Sequence, residues 1–416
     1  MKRRIPQYSE LRELVQFKAF DPDRRRARLA KANTIADLRN IARRRVPTAA
    51  FEYVDGGSFA EHSLRRNRDA FDAVEFNPHV LRDVAAVDLR TTIAGAQAAL
   101  PVGIAPTGLT RLMHAEGEVA GAQAAASFGI PFSLSTMGTV SIEEVAAEAP
   151  DAERWFQLYL WKDRPRSLEL IRRAEAAGFG ALVVTVDTPV SGARYRDTRN
   201  GMTLPPTLTA KTILDASYRP EWWFNFLTTK PLGFANFEGE RTSVAEQVNT
   251  MFDPSLNLED LAWLRENWSG KLIVKGIQSA SDAIDVLVRG ADALVVSNHG
   301  GRQLDRAPVP LKVLPEIRAA VGPEAQLILD SGIMSGGDIV AALAAGADFT
   351  LIGRAYLYGL MAGGRQGVDR ALEILRTEMT LVMQLIGATS VAELGPEHLR
   401  NLAGVPNAAT RGAGAR

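Results

Sequence analysis

Of the five histidines in this chain, His299 alone stands at the end of a short apolar run beside two glycines, in Ser297-Asn298-His299-Gly300-Gly301-Arg302-Gln303. An imidazole titrates near neutral pH and is the best side chain for taking a proton from a substrate, worth about 10²- to 10⁴-fold in rate. The glycines allow a sharp turn, so that backbone approaches a ligand while Arg302 points inward. A base must be oriented and its charged form stabilised. Asp187, closing the run Ala181–Val186, is a suitable carboxylate, with a helix N-cap as an equal alternative use. Arg194 and Arg302 are candidates for a substrate carboxylate, because a guanidinium binds it through two parallel hydrogen bonds and keeps its charge. Arg196 and Arg199, close by, read as solvated. Lys275 ends an otherwise apolar run, and a charge so placed needs a partner, for which a cofactor that becomes negative would serve. Asp330-Ser331-Gly332 and Gly353-Arg354 resemble the phosphate cradle that barrels build after their last two strands. His62, His79, His114 and His398 read as surface or packing residues. With no cysteine and one well-placed histidine, no catalytic metal is expected. The residues point to a phosphate-bearing cofactor, an anionic substrate and a histidine base beside a lysine.

The elements that must position these side chains follow a rhythm from about residue 100. Eight apolar runs read as strands: Val102–Ala105, Phe132–Ser135, Trp155–Tyr159, Ala181–Val186, Leu272–Lys275, Ala293–Ser297, Leu327–Leu329 and Phe349–Ile352. Strands buried on both faces read as continuous apolar runs. Ala-rich amphipathic stretches alternate with them, among them 116–128, 167–177, 280–289 and 337–345. Gly178, Gly290 and Gly346 stand where helices should stop. Eight strand–helix units in series predict an α/β fold, a (β/α)8 TIM barrel, with every candidate residue at a strand end. An N-terminal helical segment precedes it, capped by Thr34, with a second helical stretch over 49–71 broken at Asp55-Gly56-Gly57. The predicted units are a polar, basic arm (1–33), read as solvated rather than as a patch for anionic lipid or nucleic acid, a barrel domain (34–390) and a C-terminal tail (391–416). Within the barrel, 188–256 is a long insertion after the fourth strand, with no helical pattern before about Leu256. It carries Pro205-Pro206 and the cluster Trp222-Trp223-Phe224-Asn225-Phe226, either an internal plug or an exposed apolar patch for a membrane or partner. Residues 370–386 read as a long amphipathic helix, and the tail after Pro406 as disordered.

Composition narrows the class. The 416 residues are 46% hydrophobic and 23% charged, the balance of a soluble globular protein. Lys plus Arg and Asp plus Glu are equal at 48, which gives no argument for nucleic acid. The absence of cysteine excludes disulfides and thiolate catalysis and suits a reducing cytoplasm. The N-terminus lacks a signal-peptide core, and no stretch approaches a membrane span, so any membrane contact is expected to be peripheral.

The signature 297–303, together with Ala105-Pro106-Thr107, Leu134-Ser135-Thr136, Phe156-Gln157-Leu158-Tyr159, Thr185-Val186-Asp187 and Val274-Lys275-Gly276, resembles the FMN-dependent L-2-hydroxy-acid dehydrogenase and oxidase family. The likeness runs from about Thr34 to Gly363. It implies that His299 removes a proton from the hydroxy acid while two electrons pass to flavin N5, as carbanion or as hydride. It implies that Asp187 supports the imidazolium, that Arg194, Arg302 and Tyr53 hold the carboxylate, and that Tyr159 contacts the hydroxyl. Lys275 would sit beside flavin N1 and O2. Pro106, Thr107, Ser135, Gln157, Thr185 and Ser297 would contact FMN, and Asp330, Ser331, Gly332, Gly353 and Arg354 would hold its ribityl and phosphate groups.

Two departures stand out. Met334 occupies a position where the family usually has a phosphate-binding arginine, and Met137 replaces a pocket tryptophan of some members. Within the family the blocks 192–197, 220–223 and 252–255 are most similar to bacterial respiratory L-lactate dehydrogenases. That resemblance implies L-lactate as substrate, a membrane quinone as acceptor, peripheral contact with the inner face of the cell membrane through the insertion's aromatics, and a homo-oligomer, in relatives often a tetramer. The competing readings are an oxidase using oxygen, a mandelate-type dehydrogenase and, from another class, an FMN-barrel isomerase or peptide-modifying flavoenzyme.

Overall fold

The computed structural model describes residues 21–202, 214, 215, 217–237 and 251–400, with Arg4, Gln7 and Glu10. Eight parallel strands close into a barrel: β1 (Val102–Thr107), β2 (Phe132–Ser135), β3 (Arg154–Leu158), β4 (Ala181–Thr185), β5 (Lys271–Ile277), β6 (Ala293–Val296), β7 (Gln326–Leu329) and β8 (Phe349–Ile352). β8 pairs with β1 through Thr350 and Val102, which closes the ring. The strands match the expected runs to within two residues at each end.

Each strand is buried on both faces, and its side chains alternate between two packing environments. Val183, Ile273, Val295, Ile328 and Phe349 point inward, with Trp155 among them. Leu182, Val184, Leu272, Leu294 and Leu329 point outward against the helices. The inner cluster also contains Ile93, Ala94 and Ala98. These belong to a hairpin, Thr91–Ile93 with Ala96–Ala98, that plugs the barrel's N-terminal end. That plug was not expected from the sequence, since three-residue strands carry too little periodicity.

The N-terminal segment folds as the helices Ile35–Arg45, Thr48–Asp55 and His62–Asp72. Thr34 forms the expected cap: its hydroxyl accepts from Asp37 N and Asp37 returns the bond. Gly178, Gly290 and Gly346 adopt φ of 73°, 93° and 113° just after helices, as C-cap glycines do. The last helix is longer than expected. It runs Arg354–Ile386 and kinks at Gly363 and Gly364, where the backbone is not helical.

Three expectations are corrected. The basic arm is not simply solvated. Helix Arg24–Leu29 buries Leu29, Arg25 reaches Glu116 and Glu221 at 3.4 Å, and Arg28 donates to Ala362 O. Residues 391–400, expected with the tail, pack on the domain, where Leu399–Arg400 pairs antiparallel with Glu75–Phe76. The insertion is not devoid of helix, since Tyr195–Arg199 and Pro220–Thr228 are helical. Pro220 occupies the first helical position, which suits its fixed φ. Plug and exposed patch are both realised, one on each face of the second helix. Trp222 and Phe226 stack at 4.8 Å and pack on the core, with Trp222 Nε1 donating to Leu112 O. Phe224 and Leu227 stay 68% and 71% exposed, and the preceding Tyr218 81%. Pro205-Pro206 and the tail beyond Arg400 lie outside the described residues.

Candidate active site

The C-terminal ends of the strands surround one open cavity of about 1360 Å³, counting its mouth. Sixteen of the eighteen residues expected at the site line it: Tyr53, Pro106, Thr107, Ser135, Gln157, Tyr159, Thr185, Arg194, Lys275, His299, Arg302, Asp330, Ser331, Gly332, Gly353 and Arg354. The other two, Asp187 and Ser297, stand directly behind the wall, each bonded to residues that line it.

His299 sits on a strained turn. Its φ is 57°, and Gly300 and Gly301 follow at 62° and 72°. A non-glycine residue in this region carries a cost that surrounding bonds must offset, and such strain concentrates at functional sites. Here Asn298 does so: its side chain accepts from Gly301 N and exchanges reciprocal 2.8 Å bonds with Asn67. Ser297 Oγ accepts from His299 N.

The imidazole Nδ1 lies 2.9 Å from Asp187 Oδ1. Burial pushes His299 below its ordinary pKa, and the Asp187 charge only partly offsets this, so the ring is neutral at neutral pH. Burial alone would raise the Asp187 pKa, but its pairing with His299 and the Lys275 charge outweigh that and lower it, so Asp187 stays ionised. Its close approach depends on Gly276, at a β5 irregularity with φ 115°, where a Cβ would stand 2.7 Å from Asp187 Cβ.

Lys275 is buried, 2.9 Å from Asp330 Oδ2 and from Ser297 Oγ. Burial alone would lower its pKa, but Asp330 and Asp187 outweigh that and raise it, so the ammonium persists. A polar ladder crosses β2, β3 and β4: Ser135 Oγ donates to Gln157 Oε1, and Gln157 Nε2 donates to Thr185 Oγ1. On the opposite wall the guanidiniums of Arg302 and Arg194 lie 4.8 Å and 5.8 Å from the Tyr53 ring centre. Burial, then repulsion by Arg194, pushes Arg302 down to about 9, still cationic at neutral pH. Two paired cations facing a cavity call for an anion.

Some cradle side chains are already engaged. Ser331 Oγ accepts from Asn298 N and Gly300 N and donates to Asp330. Arg354 donates to the carbonyls of Val54, Gly300 and Gly56. What the cradle offers is backbone: Ser331 and Gly332 take φ of 75° and 104°, and a Cβ at Gly353 would meet nothing closer than 3.9 Å.

Sequence reasoning missed several residues. Phe252, from the end of the insertion, lines the cavity and meets the Tyr159 ring edge-on at 5.5 Å. Gln303 donates to the carbonyls of Asp187 and Val190 and accepts from Gly192 N, strapping down the loop after β4. Arg196, expected to be solvated, bonds Asp55 and Glu61 instead. Gln303 left a signal as the last residue of the signature, and Arg196 and Phe252 only as members of the blocks 192–197 and 252–255. What those two residues touch depends on chain segments far apart in sequence.

Fold and constellation together define the class: a (β/α)8-barrel enzyme whose mouth holds an imidazole–carboxylate pair, a buried lysine and a seat for an anion. A family model described as FMN-dependent dehydrogenase matches residues 42–401, and the chain belongs to that family of FMN-dependent oxidoreductases. It is 54% identical over 402 residues to a putative L-lactate dehydrogenase of Mycobacterium tuberculosis, covering 97% of both chains. It is 44% identical to an L-lactate dehydrogenase of Ectopseudomonas mendocina, over 86% of this chain and 96% of that one. Among solved structures it resembles the monotopic membrane protein (S)-mandelate dehydrogenase, with a TM-score of 0.86 and 38% identity over 89% of this chain and 100% of that one.

The residues present suit FMN. A buried ammonium, a row of amide and hydroxyl groups and a glycine-rich turn open to ligand line one cavity. Two buried polar atoms beside it, Asp187 Oδ2 and Arg194 Nε, have no partner among the described residues.

Proposed function

We propose that this chain oxidises L-lactate, or a similarly small L-2-hydroxy acid, to the 2-oxo acid and passes the electrons to a membrane quinone. The observation that carries the reading is the His299–Asp187 pair at 2.9 Å, in a cavity that Arg194 and Arg302 also line. The names of the lactate dehydrogenase relatives support the choice of substrate. Bound FMN supplies the two-electron acceptor that no side chain offers.

The remaining work falls to the protein. Arg194 and Arg302 bind the substrate carboxylate, with the Tyr53 hydroxyl adding a bond. Tyr159 faces the substrate hydroxyl. Burial, then the Asp187 charge, raises its pKa, so its phenol stays protonated and able to donate. Neutral His299 accepts the substrate's proton, and Asp187 stabilises the imidazolium. Lys275 provides a fixed positive charge against the cofactor ring. Pro106, Thr107, Ser135, Gln157, Thr185 and Ser297 form the ring's seat, and Asp330, Ser331, Gly332, Gly353 and Arg354 hold the ribityl phosphate end. Met137, Met334 and Phe252 complete the lining.

No helix among the described residues is long and apolar enough to cross a membrane. The exposed Phe224, Leu227 and Tyr218 instead form an apolar face for the bilayer surface, anchored by Trp222 beneath. The likeness to (S)-mandelate dehydrogenase, a monotopic membrane protein, supports contact with one face of a membrane, which we assign to the inner face of the cell membrane. We assign 34–390, with 391–400 packed on it, to one FMN-binding unit, 188–256 to its docking insertion, and the assembly to a homo-oligomer, a tetramer.

Anaerobic addition of L-lactate, glycolate and L-mandelate tests the reading: L-lactate should bleach the flavin fastest, and bleaching by none of the three refutes it. Reoxidation then tests the acceptor. A short-chain quinone should outpace air, and rapid peroxide formation would make the protein an oxidase.

A further inference from the structure

Arg194 carries the carboxylate site, yet its Nε is buried with no partner among the described residues. What fixes it is the backbone around it, and that backbone is tied to one place. Phe59 N donates to Ala193 O at 2.7 Å, and the Tyr195 ring packs edge-on against Phe59 at 5.9 Å. The strongest tie is Arg196, two residues on. Its Nη2 lies 2.7 Å from Glu61 Oε2 and its Nη1 3.2 Å from Asp55 Oδ2. Asp55 ends the helix that carries Tyr53, and Glu61 opens the next. The same short segment receives Arg302, which donates to the carbonyls of Tyr53 and Gly56. Residues 53–61 therefore act as a jig on which both substrate-binding arginines and Tyr53 are registered.

We infer that Arg196 is a positioning residue for the carboxylate site: by bridging Asp55 and Glu61 it sets the place of Arg194 relative to Tyr53 and Arg302. This rests on the carboxylate-binding role proposed above for Arg194. The planar fork suits the task, because it spans two carboxylates on different helices, which a lysine point charge cannot do with the same geometry. A displacement of Arg194 by an ångström breaks a two-point bond to an anion, and errors of that size cost about 10²-fold in other enzymes.

Breaking the tie leaves the fold standing. Without Arg196, Asp55 keeps two bonds from Arg39, at 2.6 and 2.9 Å, and one from the Tyr358 hydroxyl at 2.8 Å. Glu61 keeps the Gly57 N–H at 2.9 Å.

The test uses the FMN-loaded protein and reads Arg196→Met, Arg196→Lys, Arg194→Lys and the double variant Arg194→Lys/Arg196→Met. Arg196→Met should raise KM for L-lactate about tenfold or more while kcat falls much less. Oxalate binding, read from the shift in the flavin spectrum, should weaken by the same factor, with flavin content unchanged. Arg196→Lys should recover only part of the loss. In the double variant the two effects should fall short of multiplying, because holding a fork in place has no value once the fork is gone. If Arg194→Lys weakens oxalate but Arg196→Met leaves KM and oxalate binding at wild-type values, the positioning role is overturned and the carboxylate assignment survives. If Arg194→Lys itself leaves them unchanged, the carboxylate assignment falls. Multiplicative effects in the double variant would make Arg196 an ordinary structural contact.

Discussion

Asp187→Asn isolates the charge behind the base, since it keeps the shape of the side chain. The carboxylate accepts from His299 Nδ1 at 2.9 Å, and its side chain is only 4% exposed. In the resting enzyme the imidazole is neutral, and the pair is a hydrogen bond of ordinary strength. Once His299 holds the substrate's proton, the pair becomes an ion pair with charge centres about 4 Å apart, worth about 4 kcal/mol at an effective dielectric of about 20. Asparagine retains a dipole, which recovers about 1 kcal/mol of this. The net loss of about 3 kcal/mol falls on the proton-transfer step and corresponds to about two powers of ten in rate. Stopped-flow measurement of anaerobic flavin bleaching by L-lactate reads that step directly. The variant should bleach about a hundredfold more slowly at saturating substrate, with its bound FMN intact. A rate within about threefold of wild type would show that Asp187 does not stabilise the protonated base. Loss of flavin would show that its role is to build the pocket.

The same pair sets the pH response. A base must be neutral to act, so kcat/KM should fall as pH drops through the pKa of His299. Burial places that midpoint below about 6.5. In Asp187→Asn the carboxylate no longer raises the pKa, so the acid limb should move to still lower pH, and an upward shift refutes the assignment. Lys275→Met leaves Asp330 buried without its cation, which should cost about 3–5 kcal/mol, visible as a lower chemical-denaturation midpoint, and should slow flavin reduction. An unchanged midpoint would mean that Asp330 is solvated. Phe224→Ser with Leu227→Ser should release the protein from phospholipid vesicles in a sedimentation assay while L-lactate still bleaches the flavin. Persistent sedimentation would move the docking surface elsewhere.

The sequence determined the barrel and most of its mouth. β1 to β8 were legible because a strand buried on both faces reads as a nearly continuous apolar run, with polar residues such as Gln157, Thr185 and Lys275 mostly toward its C-terminal end. The site was legible because barrel chemistry gathers at strand ends, so His299, Asp187 and Lys275 could be found by locating where each apolar run stops. Glycine helped at Gly300 and Gly301, since paired glycines straight after a strand mark a backbone that must turn through positive φ.

Tertiary structure decided what depends on approach between distant segments. The hairpin Thr91–Ala98 looks like any short loop until it fills the barrel's open end. Trp222 and Phe224 are two residues apart in one aromatic cluster, and only the helix geometry sends one to the core and the other to solvent. Arg196 read as a surface charge because its partners, Asp55 and Glu61, lie 141 and 135 positions away in the chain. A guanidinium has the same composition whether it faces water or two carboxylates, and only folding brings those carboxylates to it.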